Sequence, residues 1–173
     1  MMNKTKKICL LGIGIALYVA LSATIKIPLI GHIQTDLGYI AFGAFCVWLG
    51  WGGMLVGTIG CIIESMLFSG WFPVGWAVGQ MLIGFICGMT YTKLKSSNSV
   101  KKYIISGIVT IISVFIGIVV VKSGIECIMF EIPLEVKIPK NITAFVADTI
   151  PMFLGTTIGY KLDKKLLSGK DKS

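Results

Sequence analysis

The sequence predicts an all-α integral membrane protein: one compact domain of six transmembrane helices with both termini cytoplasmic. Composition is the first ground. The 173 residues are 55% hydrophobic and only 14% charged, where a soluble domain carries about 25% charged residues. No soluble core of this size holds such an apolar surplus, so lipid is the solvent expected for most of these side chains. The second ground is that apolar runs recur along the chain with short links between them. The third is where the lysines sit.

The spans are read in order. The first covers residues 8–25 and is ended by Lys26 and Pro28. Its basic start resembles a signal peptide, but the apolar run is long and the chain stays hydrophobic after it, so an uncleaved first helix is expected. The second and third cover 37–49 and 54–68. Each is shorter than the ~20 residues that cross a bilayer straight. The cluster Gly50, Trp51, Gly52 and Gly53 between them permits a tight turn. The fourth, fifth and sixth cover 76–92, 103–121 and 142–162, with a basic tail from about residue 163.

Charge sets the parity. The net charge is +8, and every basic residue is lysine. Lys4, Lys6 and Lys7 precede the first span. Lys93, Lys95, Lys101 and Lys102 lie between the fourth and fifth. Lys161, Lys164, Lys165, Lys170 and Lys172 end or follow the sixth, so these clusters hold twelve of the sixteen lysines. Six crossings put all three on one side, cytoplasmic by the positive-inside rule; five would split them. The outer links are then 26–36, 69–75 and 122–141, and a pocket built from them opens outward. Lysines at span ends, rather than on an amphipathic face among exposed aromatics, argue against nucleic-acid binding.

Several chemistries are missing. No GxxxxGK[ST] loop cradles a nucleotide. The single histidine, His32, makes no multi-histidine metal cluster. Five cysteines without a CxxC pair read as small hydrophobes. No nucleophile constellation suggests an enzyme.

The candidate binding residues are polar groups at the outer ends of the spans. Glu64 and Asp148 fall within spans, where a carboxylate is costly and marks a functional site by default; the structural alternative is a protonated or locally bonded group. His32, Gln34 and Asp36 sit in the loop before the second span, which opens toward Tyr39. Asp36 is equally a good N-cap. Trp71 and Trp76 flank an outer boundary, as interfacial anchors or as the wall of a flat ligand. Gln80 must find a partner in lipid. Asn141, read as the start and N-cap of the sixth span, shares a face with Asp148 seven residues on. Small residues recur at i+4: Gly12, Ala16 and Ala20 in the first span, then the pairs Gly53/Gly57, Gly75/Gly79, Gly84/Gly88 and Gly155/Gly159. Such spacing lets helices approach closely, within the bundle or, for the first-span stripe, against another subunit.

Taken together, the size, the six spans and three segments resemble the substrate-binding S components of energy-coupling factor (ECF) transporters. The segments are the AxxxA of Ala16 to Ala20, the run from Ile25 to Pro28 with Thr35 to Tyr39, and the glycine-rich stretches 49–60 and 75–88. The resemblance implies capture of a vitamin or related micronutrient near the outer surface. It implies docking, through Gly12, Ala16 and Ala20, on a transmembrane coupling subunit driven by two cytoplasmic ATPases. ATP is then used by those partners, and no cofactor is expected of this chain. The stretch 25–39 is similar to S components for cobalamin precursors, but where those carry histidine this chain has Cys61 and Gln80. A queuosine-type base or another vitamin stays open. The alternative from a different class is a stand-alone proton-coupled carrier or small channel using Glu64 or Asp148.

Overall fold

The computed structural model describes residues 3–24, 26–28, 34–95, 97 and 100–168. Seven α-helices dominate it, with one short hairpin of strands. Helix α1 spans Lys4–Thr24. Strands β1 (Lys26–Pro28) and β2 (Gln34–Asp36) follow and pair antiparallel, with Lys26 opposite Asp36 and Pro28 opposite Gln34. Helices α2 (Gly38–Leu49) and α3 (Gly53–Phe68) are joined by a 3-10 turn at Gly50–Gly52. Helix α4 is Val74–Leu94 and α5 is Lys101–Val114. A π-helical stretch, Phe115–Lys122, carries α5 directly into α6 (Ser123–Phe130), and α7 runs Leu134–Ser168.

Among the described residues, five helical runs are long and apolar enough to cross a membrane: Lys4–Thr24, Gly38–Phe68, Val74–Leu94, Lys101–Phe130 and Leu134–Asp163. The second run is not straight. Gly50 takes φ 63°, a left-handed conformation that glycine adopts without penalty. The chain then doubles back: a Cβ on Gly53 would lie 2.7 Å from the Cys46 Cα, and one on Gly57 would lie 2.5 Å from the Phe42 ring. The glycine cluster is thus the turn of a helical hairpin.

Two sequence expectations are corrected here. Residues 122–141 are not a long outer link. The run from Lys101 continues as helix to Phe130, and α7 starts at Leu134, leaving 131–133 between them. The acids of this stretch looked loop-like, but Glu126 is paired inside the helix with Lys122 at i+4, which offsets its cost. Asn141 accordingly lies inside α7 and is not its N-cap. The strands are the second correction to a purely helical expectation; at three residues each they carry no readable alternation.

Helix α2 is the centre of the bundle. It is buried nearly all round, as suits a segment apolar on every face. Its backbone meets that of α7, where Gly43 faces the Met152 carbonyl and Gly155 faces the Ile40 carbonyl, contacts with no room for a Cβ. Gly84 and Gly88 of α4 pack on Met54 and Gly50 in the same way. The i+4 glycines of the third, fourth and sixth spans therefore serve packing within the bundle. Around them lie Tyr18, Phe42, Phe45, Val56, Ile83 and Met152.

Helix α5 is organised differently. Lys102, Ser106, Thr110 and Ser113 form one buried stripe. Tyr160 bonds Ser106 (3.1 Å), Tyr91 bonds Thr110, and the Cys87 sulfur lies 2.8 Å from Ser113 Oγ. Lys102 lies 5.2 Å from the centroids of the Tyr103 and Tyr160 rings. The opposite face, with Ile104, Ile108, Ile111 and Ile112, is exposed and suited to lipid.

Candidate functional site

One end of the bundle is hollowed into a cavity of about 430 Å³, a size that suits a vitamin-class ligand. The C-terminal ends of α1 and α3, strand β2, the N-terminal ends of α2 and α4, and α6 with the first half of α7 all converge on it.

The floor is a hydrogen-bonded cluster. Asp36 Oδ1 accepts from Ser22 Oγ (2.6 Å) and from the Gly38 N–H (2.7 Å), and Asp36 Oδ2 accepts from the Tyr18 hydroxyl (3.1 Å). The N-cap position of α2 is Leu37, with no side-chain cap bond, so the N-cap expected of Asp36 is corrected: its bond to the Gly38 N–H, two residues on, is an Asx turn leading into the helix, and Asp36 is a cavity wall. Burial pushes the Asp36 carboxyl above its ordinary value, against the three donors that hold it down. Gln80 Nε2 donates to the Tyr18 hydroxyl at 3.1 Å, and the Asp36 N–H donates to Asp148 Oδ1 at 3.3 Å. Tyr39 and Cys61 complete this part.

The wall is charged. Lys122, buried at the end of the π-helical stretch, donates to Asn141 Oδ1 and pairs with Glu126 at 3.2 Å. Lys137 holds the other Glu126 oxygen at 2.9 Å, and Asn141 Nδ2 donates to Ser123 Oγ at 2.8 Å. The Lys122 ammonium lies 4.2 Å from the centre of the Trp76 ring, a favourable cation–π position. At the rim, Trp71 meets Phe130 edge-on with centroids 5.5 Å apart, beside Glu64 and Lys140. A π-helical insert rotates the residues after it relative to a regular helix, and such inserts concentrate at working sites.

Of the candidates read from sequence, Asp36, Tyr39, Glu64, Trp71, Trp76, Gln80, Asn141 and Asp148 all line this one cavity. His32 and the Gln34 side chain lie outside the described residues. The sequence reading missed Tyr18, Cys61, Ser65, Ser69, Lys122, Glu126, Phe130, Lys137, Lys140 and Ala144. Among the described residues no group of three or more His, Cys, Asp or Glu could hold a metal ion. Gly12, Ala16 and Ala20 are elsewhere. They are exposed along α1 and floor an open apolar groove walled by Ile59 and Ile63 of α3, with no atom within 4 Å of where a Gly12 Cβ would stand.

A family model described as ECF-type riboflavin transporter, S component, matches residues 2–167. A UPF0397 protein of Lactobacillus acidophilus is 28% identical over 167 residues, spanning 91% of this chain and 90% of that protein. The match extends over the stretch on which the sequence resembled an S component. The chain belongs to the family of ECF-type riboflavin transporter S components.

Proposed function

We propose that this protein is the capture subunit of an ATP-driven importer, taking a vitamin-class micronutrient into the cavity from outside the cell. As a member of a transporter family with several membrane-crossing helices, it is a multi-pass protein of the cell membrane, and the family is one of transporter subunits rather than enzymes. The observation that carries the proposal is the convergence of Asp36, Tyr39, Gln80, Asn141 and Asp148 from four separate elements on one cavity.

The hairpin at Gly50 supports counting α2 and α3 as two crossings, which makes six. Helix ends then alternate, and the lysine-rich ends gather opposite the cavity. There Lys95 pairs with Asp163 at 2.7 Å, Lys102 reaches Tyr160, and Lys7 shares a groove with Trp51 of the α2–α3 turn. By the positive-inside rule that end faces the cytoplasm and the cavity faces out. Trp71, Trp76 and Phe130 above a polar floor suit a flat ligand with a hydrogen-bonding edge. Riboflavin is the first candidate, because the matching family is described by it; a cobalamin precursor and a queuosine-type base follow. The partners are a transmembrane coupling subunit, seated on the Gly12, Ala16 and Ala20 groove, and two cytoplasmic ATPases.

Two measurements test this. In the purified protein, Asp148→Asn and Gln80→Ala should each weaken ligand binding by about tenfold, the cost of one lost buried hydrogen bond to a charged or fixed group. Unchanged affinity in both would remove the cavity assignment. In vesicles holding only this chain there should be no accumulation of substrate. Uptake that collapses with the proton gradient would favour a stand-alone carrier instead.

A further inference from the structure

Among the described residues, the buried Gln80 Oε1 has no hydrogen-bond partner, while the Tyr39 hydroxyl is left only its interaction with the Asp148 carboxyl. Gln80 is only 1% exposed, so water does not serve its oxygen cheaply. With the Asp36 carboxylate ionised, a proton count sets which way the Gln80 amide faces. Tyr18 gives its hydroxyl proton to Asp36 Oδ2, while Ser22 and Gly38 occupy Asp36 Oδ1. A phenol has one proton to give. The Tyr18 oxygen is therefore left to accept, and Gln80 Nε2 supplies that bond. The amide oxygen is thereby held as an acceptor. Asp148, its Oδ1 bonded by the Asp36 N–H, adds a carboxylate to the same floor. The neighbouring ammonium groups of Lys122 and Lys137 are engaged by Glu126.

We propose that this floor reads an N–H edge: the buried end of the ligand is a planar N-heterocycle that donates to Gln80 Oε1 and Asp148, and Tyr18 is the positioning residue that keeps Gln80 an acceptor. The proposal rests on the cavity being the capture site. A ring edge made only of acceptors would set acceptor against acceptor in a place closed to water, leaving both unpaired. An edge with a ring N–H or amino group completes the floor. Tyr18 never touches the ligand's donor in this scheme; it acts through the amide.

The experiment uses full-length protein in micelles and two pairs of probes: riboflavin with 3-methylriboflavin, and 7-deazaguanine with its 1-methyl derivative. At least one parent should bind, and its N-methyl partner should bind about tenfold or more weakly, since a site built around an N–H rejects the analogue lacking it. Tyr18→Phe should narrow that ratio to about threefold or less, because the freed amide can turn. Gln80→Leu should abolish the ratio, and it carries the test if Tyr18→Phe does not fold. Equal affinity within each pair, or binding of neither parent, overturns the N–H edge. Full discrimination in a folded Tyr18→Phe protein overturns the positioning role. The capture site is judged separately by thiol labelling of Cys61 in a Cys9→Ser, Cys127→Ser background. Protection of Cys61 by a mixture of B vitamins and 7-deazaguanine upholds the site whatever the probe pairs show, and no protection removes both readings.

Discussion

Replacing Lys122 with methionine should destabilise the protein by about 3 kcal/mol, because it strips one partner from a buried ion pair. Lys122 is 4% exposed. It neutralises Glu126 at 3.2 Å, donates to Asn141 Oδ1 and packs over Trp76. Its loss leaves Glu126 with Lys137 alone and orphans the Asn141 oxygen. The effect should appear as a large drop in Tm in micelles. The double variant Lys122→Met, Glu126→Met should recover much of it, since apolar residues of similar volume often replace a buried pair without loss. A double variant as unstable as the single one would show that the methylene packing of Lys122, not its charge, is what matters.

The second large effect is on uptake rather than folding. Ala16→Trp should leave ligand affinity within about twofold, because the groove and the cavity do not share residues. It should nonetheless abolish transport by the complete importer and prevent co-purification of the coupling subunit. The small side chains at Gly12, Ala16 and Ala20 are what would let a partner helix approach α1 closely. Normal assembly with the tryptophan in place would return the stripe to plain lipid exposure.

Much of the helical architecture was legible because lipid leaves a coarse signal: long apolar runs with lysines at their ends. The turn at Gly50 was legible because few residues other than glycine tolerate φ 63°. Gln80 and Asp148 stood out as polar groups in apolar runs and Asn141 as the expected start of one, and all three line the cavity. Tyr18 did not. Its hydroxyl acquires meaning only from Asp36, eighteen residues on and across a hairpin. Lys122, Glu126 and Lys137 were hidden for another reason. Charge and two prolines made their stretch look like a loop, yet Lys122 and Glu126 neutralise each other one helical turn apart, and Lys137 closes the set from α7. Pro139 sits within α7 without ending it. The signal that would have found this wall was the i,i+4 spacing of opposite charges, which favours a helix.

The polar stripe of α5 has a mechanical meaning. Lipid gives a helix little preference for which way it faces, since tails are as apolar as leucine. Here a small rotation of α5 about its axis would carry an ammonium and three hydroxyl groups toward hydrocarbon, away from Tyr160, Tyr91 and Cys87. The stripe works as a rotational key. Because the same continuous helix carries Lys122 and Glu126 on its way to Phe130, it also sets the angle at which the cavity's charged wall is presented.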